Sequence, residues 1–248
     1  MDIATAPTQD RKDFAIPAAT RVYAIGDIHG RLDLLDRLLD KIAADSADAP
    51  ARKVLVSLGD MVDRGPHSAR VVERLMTLHR HPPFDGFEHH NLKGNHEQLM
   101  LAFLDGANDG AMWICNGGAT TMESYGITDC WAEPDALRVE FNKRLSPDQR
   151  AFLRGLETQH REGDYLFVHA GIDPQTPLEA QSEDDLLWIR GRFLTCERDL
   201  GVRVVHGHSS VHVPEILPNR IAIDTRAWES GALTCFVGQN ESVKFITT

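Results

Sequence analysis

The chain has 248 residues, 42% of them apolar and 25% charged, and a formal net charge of -11. That balance fits a soluble globular protein able to bury a sizeable core, and the acidic surplus opposes non-specific binding to nucleic acid or an anionic bilayer. No stretch is long enough to span a membrane, residues 1–19 lack an apolar leader core, and Cys115, Cys130, Cys196 and Cys235 form no C-x-x-C pair, so a cytoplasmic protein with reduced thiols is expected.

The first predicted element is an apolar strand at residues 21–25, ending at Gly26-Asp27. Leu32, Leu35, Leu38, Leu39 and Ile42 then recur at helical spacing. A polar connection at 43–51 leads to a second buried strand at 54–58, which stops at Gly59-Asp60. A helix over about 68–78 follows, with Ser68 as its expected N-cap. Pro82-Pro83 precedes a third strand at 88–92, which runs into Gly94-Asn95-His96-Glu97 and a helix carrying Leu99, Met100, Phe103 and Leu104. Strand, polar turn and helix thus repeat three times, which predicts parallel strands with their polar turns at the carboxyl ends, where open α/β sheets bind ligands.

Residues 105–159 read as helix and loop, with a helix start at Ser146-Pro147-Asp148. A fourth strand at 165–168 ends at His169, and further strands are expected at 202–205, 221–223, 233–237 and 243–246. With no repeat or linker to mark a second unit, residues 21–248 are expected to be one domain behind a flexible segment at 1–20.

The polar turns, taken together, carry the chemistry. They read G-D-I-H-G at 26–30, G-D-M-V-D-R-G at 59–65, G-N-H-E at 94–97, V-H-A-G at 168–171 and H-G-H at 206–208. Each sets Asp, Asn or His directly after an apolar strand. Oxygen and imidazole donors without thiolate suit Mn, Fe, Zn or Co. Two ions a few ångströms apart need a bridging carboxylate, and Asp60 at the central turn is the candidate.

These motifs resemble the signature of calcineurin-like metallophosphoesterases, and more narrowly the serine/threonine protein phosphatase branch that includes the bacterial enzymes and phage lambda phosphatase. The similarity runs on through W-I-C-N-G-G at 113–118, L-L-W-I-R at 186–190, G-H-S at 207–209 and I-D-T at 223–225, so it covers the chain from Arg21 onward. The resemblance implies an α/β sandwich of two mixed β-sheets packed face to face and flanked by helices (α/β/β/α). It implies two divalent metal ions, one held by Asp27, His29 and Asp60, the other by Asp60, Asn95, His169 and His208. It also implies direct hydrolysis, in which a water acidified between the ions attacks phosphorus and no phosphoenzyme forms. His96 would be the general acid, oriented by Asp63, and Arg64 and Arg190 would clamp the phosphoryl oxygens.

The implied substrate is a phosphoprotein (phosphoserine or phosphothreonine, with phosphotyrosine as an extension) or a small phosphorylated molecule. A neighbouring branch hydrolyses dinucleoside tetraphosphates symmetrically. That branch tends to read G-N-H-D and to lack the aspartate of D-R-G, so Glu97 and Asp63 favour the phosphatase. A catalytically silent metal-binding regulatory module would have lost a ligand or the acid, and none is missing.

His206, two residues before His208, is expected to be packed or supporting. Trp113 suits either the substrate rim or the core. The histidines at 79, 81, 89, 90, 160 and 212 are expected at the surface or satisfied, and His67 is expected to be exposed beside the site. Relatives usually carry Gly-Ala after I-D-T, where this chain has Arg226-Ala227. Arg226 is expected to project into solvent, with entry into the cleft as the alternative.

Overall fold

The computed structural model describes residues 14–130 and 132–248. Among the described residues, ten strands form two sheets: β1 (Thr20–Ile25), β2 (Arg52–Ser57), β3 (Glu88–Asn91), β4 (Gln159–Glu162), β5 (Tyr165–Val168), β6 (Arg203–His206), β7 (Glu215–Ile216), β8 (Arg220–Ala222), β9 (Thr234–Gln239) and β10 (Ser242–Thr247). The first sheet runs β10-β9-β1-β2-β3 and the second β4-β5-β6-β8-β7. β1, β2 and β3 are parallel, as the strand–turn–helix repeat predicts, while β9 and β10 pair antiparallel. β5, β6 and β8 form a second parallel set, edged by antiparallel β4 and β7.

Side-chain alternation along the strands explains why two sheets stack. From the first sheet, Val22, Ala24, Val54, Val56 and Phe236 point inward and meet Tyr165, Phe167, Val205 and Ile221 of the second. The alternate residues Tyr23, Ile25 and Leu55 face outward, against the helices α1 (Leu32–Asp45), α2 (Ser68–Thr77) and α3 (Asn95–Leu104). Leu34, Leu35, Leu38, Leu39 and Ile42 of α1 are fully buried there, each contributing about 2 kcal/mol of transfer free energy. On the far face of the second sheet, Leu166, Val168 and Val204 pack against Leu186, Ile189 and Phe193. The result is the helix–sheet–sheet–helix layering that the resemblance implies.

Three details differ from the sequence expectations. The Ser68 hydroxyl does not cap α2; it accepts a hydrogen bond from Asp63 N at 3.0 Å, so the residue serves the preceding turn. β4 was not expected, because Gln-His-Arg-Glu carries no apolar signal; antiparallel pairing with β5 forms it. Of the segment 1–20, residues 1–13 lie outside the described residues, but Phe14 and Ile16 are buried between the sheets and Ile16 N donates to Asn240 O. Packing therefore begins ahead of residue 21. Among the described residues, no helix is long and apolar enough to cross a membrane.

Candidate active site

The turns after β1, β2 and β3 and after β5 and β6 converge at one end of the sandwich. The backbone there is unusual: His29, Asp60, Asp63, Arg64 and His208 all have positive φ. Non-glycine residues avoid this region, and each such position costs on the order of 1 kcal/mol unless its surroundings hold it. Glu97 does much of that holding. Its buried carboxylate accepts from Gly94 N (2.8 Å), Asp60 N (2.8 Å), Met61 N (2.8 Å) and Val62 N (3.2 Å), binding the G-N-H-E turn to the Asp60 turn. Burial and the neighbouring Asp60 push the Glu97 carboxyl up to about 7, against the pull of those N–H donors.

Two glycines are required by close approach. A Cβ on Gly94 would lie 2.2 Å from Asp60 Oδ1, and one on Gly207 would lie 2.0 Å from Asp27 Oδ1.

Asp60 is central. His29 Nε2 is 3.5 Å from its Oδ2, and His169 Nε2 is 3.5 Å from its Oδ1. His29, Asp60 and His96 form one buried group with the spacing of metal ligands, and Asp60, His169 and His208 form another, so both groups share Asp60. Asn95 Oδ1 lies 2.8 Å from His169 Nε2 and 2.9 Å from His208 Nδ1. The far ring nitrogens of two histidines are spoken for: His29 Nδ1 donates to Val62 O and His169 Nδ1 to Leu58 O, both at 2.9 Å. That pairing directs each Nε2, with its lone pair, into the site.

Asp27 Oδ2 accepts from His208 N at 3.0 Å, while Asp27 Oδ1 is buried without a hydrogen-bond partner. A buried carboxylate oxygen of this kind is costly unless a cation meets it. Burial, with Asp224 and Asp60 adding repulsion, pushes the Asp27 carboxyl well above the usual range. Burial drives His29 and His208 down to about 3, leaving neutral imidazoles, the form that binds metal. Burial raises the Asp60 carboxyl, but the surrounding imidazoles, of which His96 stays charged, outweigh it and hold Asp60 below the usual carboxylate range. Donor chemistry, the shared carboxylate and the orphaned oxygen thus fit two divalent cations.

All six residues expected as ligands meet here. His96 stands beside them, with its Nδ1 2.6 Å from Asp63 Oδ2 and its Nε2 facing the cleft, 3.3 Å from Arg64 Nη2. Burial pulls the His96 imidazole down, but Asp60 and Asp63 outweigh it and hold it up to about 9. Asp63 is itself fixed by Trp113 Nε1, which donates to Oδ2 at 2.9 Å, and by the Thr121 hydroxyl, which donates to Oδ1 at 2.6 Å. Trp113 is therefore a core residue that reaches the centre through Asp63. Neither this support nor the task of Glu97 was anticipated from the sequence. Only Glu97, at the third position of α3, carried a local signal, that of a helix-capping carboxylate.

Arg64 and Arg190 are exposed at the cleft, and Arg190 Nε donates to His208 Nε2 at 3.0 Å. The cleft measures about 110 Å³ and includes Asp27, Asp60, Asn95 and His208 among its walls. Trp188 lines it, and Trp228 lies under the Arg64 guanidinium at 5.2 Å, so two half-exposed indoles flank the opening. His206, in β6, is buried against Phe193. His208 reaches the cleft because its left-handed φ ends the extended run after Gly207, a reason different from strand alternation. His67 and Arg226 are exposed, and Arg226 pairs with Glu229 at 3.2 Å.

Comparison with known proteins agrees with this geometry. The model of the calcineurin-like phosphoesterase family matches residues 20–232. The chain is 38% identical to serine/threonine-protein phosphatase 2 of Escherichia coli (strain K12), over 87% of this chain and 91% of that protein. It is 34% identical to the symmetrical bis(5'-nucleosyl)-tetraphosphatase of Acidovorax ebreus (strain TPSY), over 64% of this chain and 46% of that protein. The chain thus spans under half the length of that tetraphosphatase. The structure of a cold-active protein-tyrosine phosphatase from a psychrophilic Shewanella species superposes with a TM-score of 0.61 at 21% identity, covering 98% of this chain and 87% of that one.

Proposed function

We propose, from the premise that this chain belongs to the calcineurin-like phosphoesterase family and is a metal-dependent phosphoesterase, that it acts as a protein phosphatase on phosphoserine and phosphothreonine, and also on phosphotyrosine. The observation that carries this reading is the buried Asp63–His96 pair at 2.6 Å, the aspartate of D-R-G orienting a protonated imidazole at the cleft. Similarity over nearly the full length of a bacterial serine/threonine phosphatase supports it.

Asp27, His29 and Asp60 would hold one cation, and Asp60, Asn95, His169 and His208 the other. Mn²⁺ is the expected occupant, with Fe, Zn, Co or Ni as alternatives that the same oxygen-and-imidazole donor set accommodates. Two such cations supply Lewis-acid stabilisation of the phosphoryl charge and a water acidic enough to attack phosphorus at neutral pH. The chain does the rest. Arg64 and Arg190 bind the phosphoryl oxygens through charge-assisted hydrogen bonds. His96 Nε2 gives its proton to the departing alkoxide, and Asp63 keeps the ring turned and charged for that step. A cleft of about 110 Å³ is smaller than pockets that enclose a whole small molecule, so the remainder of the substrate lies across the rim.

That rim supports a second reading, symmetrical hydrolysis of dinucleoside tetraphosphates. Trp188 and Trp228 offer exposed indoles on which a base can stack, and the tetraphosphatase similarity points the same way. The two readings separate in one assay, with Mn²⁺-loaded protein and an Asp60→Asn control given phosphopeptides and diadenosine tetraphosphate in parallel. The expected result is a higher kcat/KM on phosphopeptides and background in the control. Turnover confined to the dinucleotide would establish the second reading, and equal rates in wild type and control would remove both.

A further inference from the structure

Away from the cleft, the sandwich brings a second set of imidazoles together. β3 is the last strand of the first sheet and β4 the first strand of the second, and the backbone joins these edges by a bridge between Leu92 and Glu157. Glu157 N donates to Asn91 O at 3.0 Å, and Lys93 N donates to Glu157 O at 2.7 Å. The Glu157 carboxylate is thereby set beside His90, whose Nδ1 lies 3.0 Å from Oε1 and 3.2 Å from Oε2. His160, on β4, stacks on His90 with ring centroids 3.6 Å apart and planes 25° from parallel. One donor atom from each of His90, Glu157 and His160 lies within 4.8 Å of the others.

The stacking has a physical cost when both rings are charged, because like charges at this distance repel. Burial and the adjacent His90 lower the His160 imidazole, which favours its neutral, metal-binding form. His160 Nε2 is buried and has no hydrogen-bond partner; Glu162 Oε2 is 3.7 Å away, and that carboxylate is engaged by Arg52 at 2.8 Å. An unpaired buried ring nitrogen costs about 1–3 kcal/mol, so its retention calls for a partner. Two imidazoles and a carboxylate are an established donor set for zinc. Zinc–nitrogen bonds of about 2.0–2.1 Å put tetrahedral donors about 3.3 Å apart, so a shared cation requires the two rings to turn out of their stacked arrangement and bring both lone pairs onto it.

We propose that His90, Glu157 and His160 form a second metal site, separate from the phosphoryl centre, that takes a transition cation of the Zn²⁺ class and staples the meeting edges of the two sheets. The site has a mechanical link to the centre: the Lys93–Glu157 backbone bond leads directly into the turn that bears Asn95 and His96.

The test counts zinc. Full-length wild type, Glu157→Ala and His160→Ala are equilibrated with Zn²⁺, freed of unbound ion, and analysed for metal per chain. The proposal expects each variant to retain one zinc fewer than wild type, whatever number the catalytic centre holds, and the zinc-induced rise in Tm to shrink by the same step. Equal zinc content in all three proteins overturns it and leaves a stacked, solvent-edge histidine pair. Glu157 has a 45% exposed side chain and keeps its backbone bonds in the variant, so it carries the comparison if His160→Ala fails to fold.

Discussion

The turns contributed by the first sheet are tied to one another by several backbone bonds and by one buried carboxylate, whereas the second-sheet turns share the single bond from Gly207 N to His169 O and otherwise lean across onto the first sheet. Ile28 N and His29 N both donate to Asp60 O, Gly30 N donates to Met61 O, and Glu97 gathers four further N–H groups from the Asp60 and Asn95 turns. On the other side, His169 is steadied by its ring bond to Leu58 O, His208 by its amide bond to Asp27, and Arg190 by its bond to His208. The difference teaches where rigidity is built. Strained φ values at His29, Asp60, Asp63 and Arg64 need a backbone lattice, while an exposed guanidinium that must follow a phosphate does not.

Replacing Glu97 tests the lattice and should have the largest effect. Glu97→Ala leaves four buried N–H groups without an acceptor, and at about 1–3 kcal/mol per unsatisfied group the expected loss is at least about 3 kcal/mol, since entering water recovers part of the total. Denaturant unfolding measures it. Glu97→Gln, which retains one carbonyl acceptor, should fall between the two proteins. A Glu97→Ala variant as stable as wild type would show that the turns hold without it.

Arg190 tests the other half. Arg190→Ala should lower kcat/KM roughly 10- to 100-fold through loss of a charge-assisted bond to phosphate, with Tm unmoved. A drop in Tm matching that of the Glu97 variant would erase the distinction between the halves.

The smallest effect concerns the edge where the sheets meet. Arg52 bridges Glu88 at 2.7 Å and Glu162 at 2.8 Å, and its hydrogen bond holds the Glu88 carboxyl below the ordinary glutamate value of 4.5. A depressed carboxyl contributes stability that is complete above its unfolded pKa and disappears as pH falls through its folded pKa. The Tm gap between wild type and Arg52→Met should therefore be small at neutral pH and close further below about pH 4.5. A gap that widens on acidification would contradict the assigned direction.

Much of this molecule was legible in its residues. The strands that end at Asp27, Asp60 and His169 announced themselves because both faces of an interior strand are apolar, whereas the polar edge strand β3 was marked by Pro82-Pro83 before it and the Gly94-Asn95 turn after it; the glycine–polar turns followed from the need for close backbone approach. Trp113, Thr121 and Ser68 did not announce their service to Asp63, because a tryptophan, a threonine and a serine scattered over a helical region carry no spacing that marks a common target. His90 and His160, read singly, looked like surface histidines. They stack because polar β4 pairs with β5 as an edge strand and the Leu92–Glu157 bridge brings that edge against β3 of the other sheet.

Local order therefore determined the periodic elements, the parallel β1–β2–β3 unit and the residue types of the cleft, since these depend on apolar spacing and turn chemistry within short windows. Tertiary structure alone decided which carboxylate is shared, which imidazole nitrogen faces inward, what Glu97 holds and where the two sheet edges meet. Those outcomes depend on hydrogen bonds between residues dozens of positions apart, whose partners exist only once the sheets have packed.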